Sequence, residues 1–321
     1  MDLVHPGEVS VRERAGAKQH SIGSGYVGDT IPDVARDFVD GARLAALAVV
    51  DSRGEIHADV LAGAAGFLHA ADTRTLEIAT VPPLTAPLFV SGAERTVGLI
   101  VLEPWTRRRM RVNGRAVRGG GGLLLQTDQV YANCPKYIQT RTVVEADQAA
   151  VADRSWERET STPNSGRLGD VTQRELIGDA DTFFLATYAP GHGADMSHRG
   201  GSPGFVTIVD DTHLSWPEYA GNSMYMSLGN LLSEPRCAIV FPDWSTGRTL
   251  QLRGRAFVDW DARRAASVPQ AQRIVDFEVE EVVEIADGMP LHWRFGEYHR
   301  FNPPAGKATP AGESTPVASA Q

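Results

Sequence analysis

The sequence predicts a mainly β protein with a few helices, built from two tandem copies of one small barrel. Three observations carry that expectation: short strand-like runs closed by turn residues, an internal repeat, and a helical pattern confined to one segment.

The runs come first. ARLAALAVV followed by SRGE, and TFFLATY followed by APGHG, each join an apolar segment to Gly-bearing turn chemistry. CAIVF at 237–241, TLQLRGRAFVDW at 249–260 and RIVDFEVEEVVEI at 273–285 continue the theme, several with β-branched or aromatic residues alternating with polar ones. A mostly antiparallel sheet closed into a small barrel is the economical arrangement, because closure removes exposed edges. The acidic EVEEVVEIAD reads as a solvated strand face. GGGG at 119–122 follows the basic RRRMRVNGRAVR without a P-loop Lys-Ser/Thr after it, and reads as a flexible loop.

The repeat pairs Leu47-Ala48 with Leu185-Ala186, Gly63 with Gly201, Gly66-Phe67 with Gly204-Phe205 and Leu76 with Leu214, all at a shift of 138 and without a gap. Trp105 then faces Trp244, and NGRA at 113–116 faces RGRA at 253–256, the shift growing to 139 and 140 as small loop insertions require. The helical segment is NSMYMSLGNLLSEP after Gly221. It sets Met224, Leu228, Leu231 and Leu232 on one face and Ser223, Ser227 and Asn230 on another, with Asn222 as N-cap and Pro235 just past the end.

Domain organisation follows: an arm over 1–30, a first barrel over 31–152, a linker over 153–172 anchored by Trp156, a second barrel over 173–301, and a tail over 302–321. The tail is rich in Pro, Ala, Ser and Thr without apolar period, which predicts disorder. With 31 Lys+Arg against 40 Asp+Glu, a net charge of -9 argues against nucleic acid or an anionic membrane as partner. No stretch is apolar enough for a signal h-region or a membrane span. Two cysteines, Cys134 and Cys237, make no disulfide framework or zinc pattern, so a reducing cytoplasm and no metal are expected.

MSHRGGSPGF at 196–205 places His198 and Arg199 beside Gly200 and Gly201, directly after a strand-like run. An Arg beside a helix N-terminus suits a phosphate, and glycines let a backbone come close to a ligand. The repeat supplies a control. Opposite SHRGGSPGF the first half reads DVLAGAAGF, keeping Gly63, Gly66 and Phe67 but holding Val60 and Leu61 where the second half has His198 and Arg199. Opposite the polar helix stands PLTAPLFVSGAERT, with Pro83 and Pro87 and no Asn/Ser series. One unit is equipped; the other is its structural partner.

These residues carry a resemblance. FFLATYAPGHGADMSHRGGSPGF and the following GN, SLGNLL and GRA are similar to the pyridoxamine 5'-phosphate oxidase-related group of FMN-binding split-barrel proteins, strongly over about 176–260 and more faintly in the first half. VYANCPKYIQ at 130–139 is similar to a Cys-Pro signature that follows the barrel in many of those relatives. The resemblance implies six-stranded split barrels, here two in tandem as an intramolecular pseudo-dimer, with FMN in the groove between them. It implies that His198, Arg199, Gly200 and Gly201 meet the flavin, that Asn222, Ser227 and Asn230 hold its phosphate or ribityl chain, and that one flavin binds per chain. Cys134, Lys136 and Tyr137 either line the substrate side or form a structural turn; His292 and Arg294 are the late candidates for a second basic pocket. The expected activity is flavin-dependent oxidoreduction of an unidentified small molecule with a reduced electron donor, the catalytic residues unassigned. A non-catalytic flavin-binding or flavin-sensing protein is the alternative, and the pseudo-dimer is expected alone or as a further homodimer.

Overall fold

A computed structural model describes residues 5–17, 27–80, 82–89, 92–144 and 164–304. The first sheet holds β1 (Leu44–Val50), β2 (Ile56–Ala62), β3 (Leu68–Ala70), β4 (Thr75–Ile78), β5 (Arg95–Glu103), β6 (Arg108–Gly119) and β7 (Gly122–Ala132), in the order β2-β1-β5-β6-β7-β4-β3. After β8 (Arg141–Val143) and β9 (Asn164–Ser165) come β10 (Thr182–Ala189), β11 (Gly193–Gly200), β12 (Thr207–Ile208), β13 (His213–Tyr219), β14 (Arg236–Pro242), β15 (Thr249–Asp259) and β16 (Ala271–Ile285), in the order β11-β10-β14-β15-β16-β13-β12, with β9 added on β16. The two orders are the same order, and the pairings along both are antiparallel. Among the described residues the fold is mainly β with five α-helices, a tandem duplication of a split barrel. Each sheet has a seventh strand where the resemblance implied six, because the short β3 and β12 extend the edge.

The helices are α1 (Pro6–Arg14), α2 (Asp33–Gly41), α3 (Val171–Asp179), α4 (Met226–Ser233) and α5 (Ala262–Ala266). α2 and α3 occupy matching positions at the shift of 138, so the repeat begins before the sequence markers that reveal it. Its details recur too. Gly66 (φ +88°) donates to the Asp40 carbonyl and Gly204 (φ +84°) to that of Gly178, at the same step of the same turn. Gly114 and Gly254 each stand at a β-bulge where a Cβ would lie 1.9 and 1.8 Å from a carbonyl oxygen, of Gln126 and Glu278.

The apolar runs of β1 and β10 are continuous because both their faces are covered. Ala45, Leu47 and Val49 enter the first barrel's core, while Leu44, Ala46, Ala48 and Val50 join Phe184, Ala186, Met196, Ala238 and Val240 in a third core between the halves. Phe183 and Leu185 turn the other way into the second barrel with Trp216 and Phe277. The pseudo-dimer interface is thus a hydrophobic core in its own right, as in permanent dimers.

Some expectations change. GGGG is no flexible loop: Gly120 (φ +61°) and Gly121 (φ +85°) make a two-residue hairpin turn between β6 and β7, which requires positive φ at both positions. The 1–30 arm contains α1, which docks on α4 of the second half. There the helices meet backbone to backbone, since a Cβ on Gly7 would lie 2.3 Å from the Gly229 carbonyl. The linker over 153–172 lies partly outside the described residues, Trp156 included; its described end holds β9, the Asp170 cap and the start of α3. The tail beyond 304 also lies outside them. Among the described residues, no helix is long and apolar enough to cross a membrane. Both cysteines are free thiols.

Candidate functional site

A narrow cleft with about 80 Å³ of free space opens where the halves meet. The second half supplies the end of β11 (His198, Arg199, Gly200), the end of β13 and the loop into α4 (Asn222, Ser227). The first half supplies Arg109 and Arg111 from β6, Asn133, and the Lys136-Tyr137 turn. Four cations, Arg109, Arg111, Lys136 and Arg199, and one carboxylate, Glu218, line it. In a chain of net charge -9 this is a local reversal of sign.

The register explains how two arginines arrive from the half that lacked His and Arg. On β6, Met110 and Val112 point into the first core, so Arg109 and Arg111 point the other way, beside Leu102 and Ile100 of β5 on the interface face. Arg111 Nη1 reaches both oxygens of the buried Asp195 of β11 at 2.9 and 2.8 Å, and Tyr131 OH (3.1 Å) and Ser227 Oγ (3.0 Å) donate to the same carboxylate. Burial works against the Arg111 charge, yet the Asp195 carboxylate outweighs it and the guanidinium is held more firmly protonated than usual. β11 comes this close because Gly98 faces it: a Cβ there would lie 2.7 Å from the Asp195 Cα.

Arg109 differs, with no carboxylate partner among the described residues: its Nη1 lies 3.0 Å from His198 Nδ1. Burial and the neighbouring Arg111 pull it down to about 9, so it remains a cation at neutral pH, and an uncompensated one. His198 is driven well below its ordinary value by burial and by Arg109, Arg199, Arg141 and Arg111, which leaves it neutral; its Nδ1 then accepts from Arg109. Arg199 Nη1 donates to Glu218 at 3.1 Å. The Nε atoms of Arg109, Arg111 and Arg199 are all buried without a partner among the described residues. Such orphaned cationic donors around a cleft fit a phosphorylated, oxygen-rich ligand.

Three non-glycine residues at the cleft carry positive φ: Tyr137 (66°), Ser223 (60°) and Tyr225 (59°). Each costs on the order of 1–3 kcal/mol and persists because the surroundings over-determine it. Tyr137 is held by its OH to the Ala220 carbonyl (3.1 Å) and by ring contact with Tyr219 at 5.3 Å. Burial, then Cys134 and Glu218, raise its hydroxyl above the ordinary range.

The sequence-predicted residues therefore divide. His198, Arg199, Gly200, Asn222, Ser227, Lys136 and Tyr137 share the cleft. Gly201 and Asn230 do not line it. The Gly201 backbone closes on Phe205, whose Cγ would lie 2.6 Å from an added Cβ; Asn230 bonds His5 (2.8 Å) and Thr187 (3.0 Å) behind α4. Gly200 lines the cleft, but its closest approach is to the Tyr137 carbonyl, 2.1 Å from a Cβ, rather than an opening for a ligand. Asn222 does not cap α4. The positive φ of Ser223 and Tyr225 delays the helix to Met226, and Asn222 instead accepts from the Met224 N–H at 3.2 Å. Leu232 is exposed rather than part of the apolar face. Cys134 is half-buried outside the lining, in the turn that Pro135 begins. His292 and Arg294 lie outside the lining as well; Arg294 stands on β17 (Trp293–Phe295), paired with β8.

The matching place in the other half is filled by the chain itself. Asp59 of β2, fully buried, accepts from the amides of Leu84 (3.0 Å) and Thr85 (2.8 Å), the Thr85 hydroxyl (2.7 Å) and Gln251 Nε2 (3.2 Å). Leu84 and Thr85 correspond to Asn222 and Ser223, and Gln251 to Arg111. Where the second half opens into α4, the first makes only the short 3₁₀ turn Ala86–Phe89.

No family model matches the chain, and no curated protein does. Solved structures do. The chain is similar to a putative pyridoxamine 5'-phosphate oxidase from Lactobacillus delbrueckii (22% identity, 37% of this chain and 95% of that one, TM-score 0.31). It is also similar to an FAD-binding protein from Mesorhizobium loti (13%, 37% and 94%, TM-score 0.26) and to an F420 reductase (15%, 35% and 95%, TM-score 0.27).

Proposed function

We propose that the cleft binds FMN, one per chain, and that the protein is an FMN-dependent oxidoreductase of the pyridoxamine 5'-phosphate oxidase-like class acting on a small molecule. The observation that carries the reading is the set of buried, partnerless guanidinium nitrogens on Arg109, Arg111 and Arg199, drawn from both halves into one cleft. The amides at the start of α4 and the Asn222-Ser223 loop suit the phosphate, Arg199 and Arg109 the polar edge of the ring, and Tyr137 its face. When bound, the flavin supplies the hydride or electron transfer. His198, neutral, supplies a fixed hydrogen-bonding group, and the arginines favour a ring that gains negative charge on reduction.

The test is to saturate the purified protein with FMN, add NADH or NADPH anaerobically and follow bleaching of the visible band. Reduction, with reoxidation accelerated by a defined acceptor, supports the enzyme. Bound flavin inert to every donor leaves a flavin-binding or flavin-sensing protein without turnover. Arg199→Ala is expected to weaken FMN binding about 10- to 100-fold, the size of one or two lost charge-assisted bonds.

A further inference from the structure

A second concavity lies against the first. An open groove of about 750 Å³ runs between α2 and the β6–β7 ladder, and Arg109 and Asn133 line both it and the cleft. Its floor and walls are Phe38, Ala35, Met110, Val130 and Pro135, and Val34, 88% exposed, stands at its rim. An apolar groove of this size beside a polar cleft marks a binding surface. Its charge is as one-sided as its apolarity: Arg107, Arg108 and Arg109 line it and no Asp or Glu does, in a chain with 40 of them. Arg107 is tied to Glu297, but Arg108 lies over the Phe38 ring at 4.7 Å and Arg109 holds no carboxylate.

We propose that this groove seats an amphipathic anion, a small molecule with an extended apolar body and one carboxylate-like head, and delivers that head to the wall it shares with the cleft. The body lies along Phe38, Met110 and Val130, where burial of apolar surface is worth about 25 cal/mol per Å². The head meets Arg109 on the shared wall, and the exposed Arg108 adds its charge to the attraction along the groove. Binding to the groove stands on its own geometry; that the anion is the substrate rests on the flavin reading above.

Decanoate and decanol are the probes, read by displacement of the groove dye 8-anilinonaphthalene-1-sulfonate, in protein with and without added FMN. Decanoate is expected to displace the dye and to bind more tightly than decanol. Val34→Glu, a change at an exposed rim, is expected to weaken decanoate about 10-fold by like-charge opposition. Arg108→Gln is expected to weaken decanoate about 3-fold and to leave decanol unchanged. Undisplaced dye, equal affinity for the two probes, or displacement indifferent to both substitutions overturns the proposal. A decanoate-induced shift of the bound flavin's visible band supports the substrate role, and its absence in flavin-loaded protein removes that role. If no flavin binds while decanoate does, the functional reading fails and the groove stands.

Discussion

The two halves solve one problem differently. Each carries a polar group on its interface-facing strand, Arg111 on β6 and Gln251 on β15, and each extends it to a buried carboxylate on the other half, Asp195 or Asp59. In the second half the carboxylate is drawn back against Arg111, Tyr131 and Ser227, and the loop before α4 is left facing a cleft. In the first half the carboxylate itself takes the loop amides of Leu84 and Thr85, and no such cleft is needed. The same fold thus leaves an open, cation-lined cleft in one half and, in the other, a carboxylate that takes the loop amides itself.

The largest test of that contrast is Arg111→Met, which leaves Asp195 buried without a cation. Urea unfolding is expected to show a loss of about 3–5 kcal/mol, against a smaller loss for Gln251→Met, whose partner Asp59 keeps three other donors. Equal losses would mean that the two carboxylates are not held differently.

Next is Asp59→Ala, which strands the Leu84 and Thr85 amides. A loss of about 3 kcal/mol is expected, with formate restoring part of it because the emptied place is an anion site. Failure of formate, acetate and phosphate alike to restabilise the variant contradicts the filled-site account.

Acidity sharpens the comparison. Burial raises Asp59 to about 6 and Glu8, on α1 beneath α4, to about 7. Both therefore bind protons more tightly folded than unfolded. Their stabilisation is full below the unfolded values near 4 and is lost as pH rises through 6 and 7, by about 2–3 kcal/mol for the Asp59 share. Chemical denaturation from pH 4 to 8 should show that decline, and Asp59→Ala should flatten its lower part.

Smallest are the matched bulges. Gly114→Ala and Gly254→Ala each force a Cβ onto a carbonyl and should cost about 1–3 kcal/mol apiece, by equal amounts if the halves share one backbone.

Much of this was legible in the sequence because strand runs and turn glycines are local signals. FFLATY and CAIVF are strands as their runs predict, the Gly63/Gly201 and Gly66/Gly204 pairs fall where the repeat placed them, and His198, Arg199 and Gly200 lie at the cleft. What escaped was decided across the interface. Arg109 and Arg111 sit in a run of six arginines between 107 and 118, and only the alternation of Met110 and Val112 against them shows which face they take. Asn230 matched a ligand-binding pattern, yet α1 arrives from over two hundred residues away to claim it through His5. The start of α4 was missed because positive φ at Ser223 and Tyr225 is imposed by packing, against their own preference.

The stoichiometry of FMN binding tests the central claim most directly. Titration of the purified chain, followed by flavin fluorescence quenching and by the mass of the intact complex, should give one FMN per chain, weakened about 10- to 100-fold by Arg199→Ala and untouched by Leu61→Ala. Two FMN per chain, or none, would contradict an open site in one half and a self-filled one in the other.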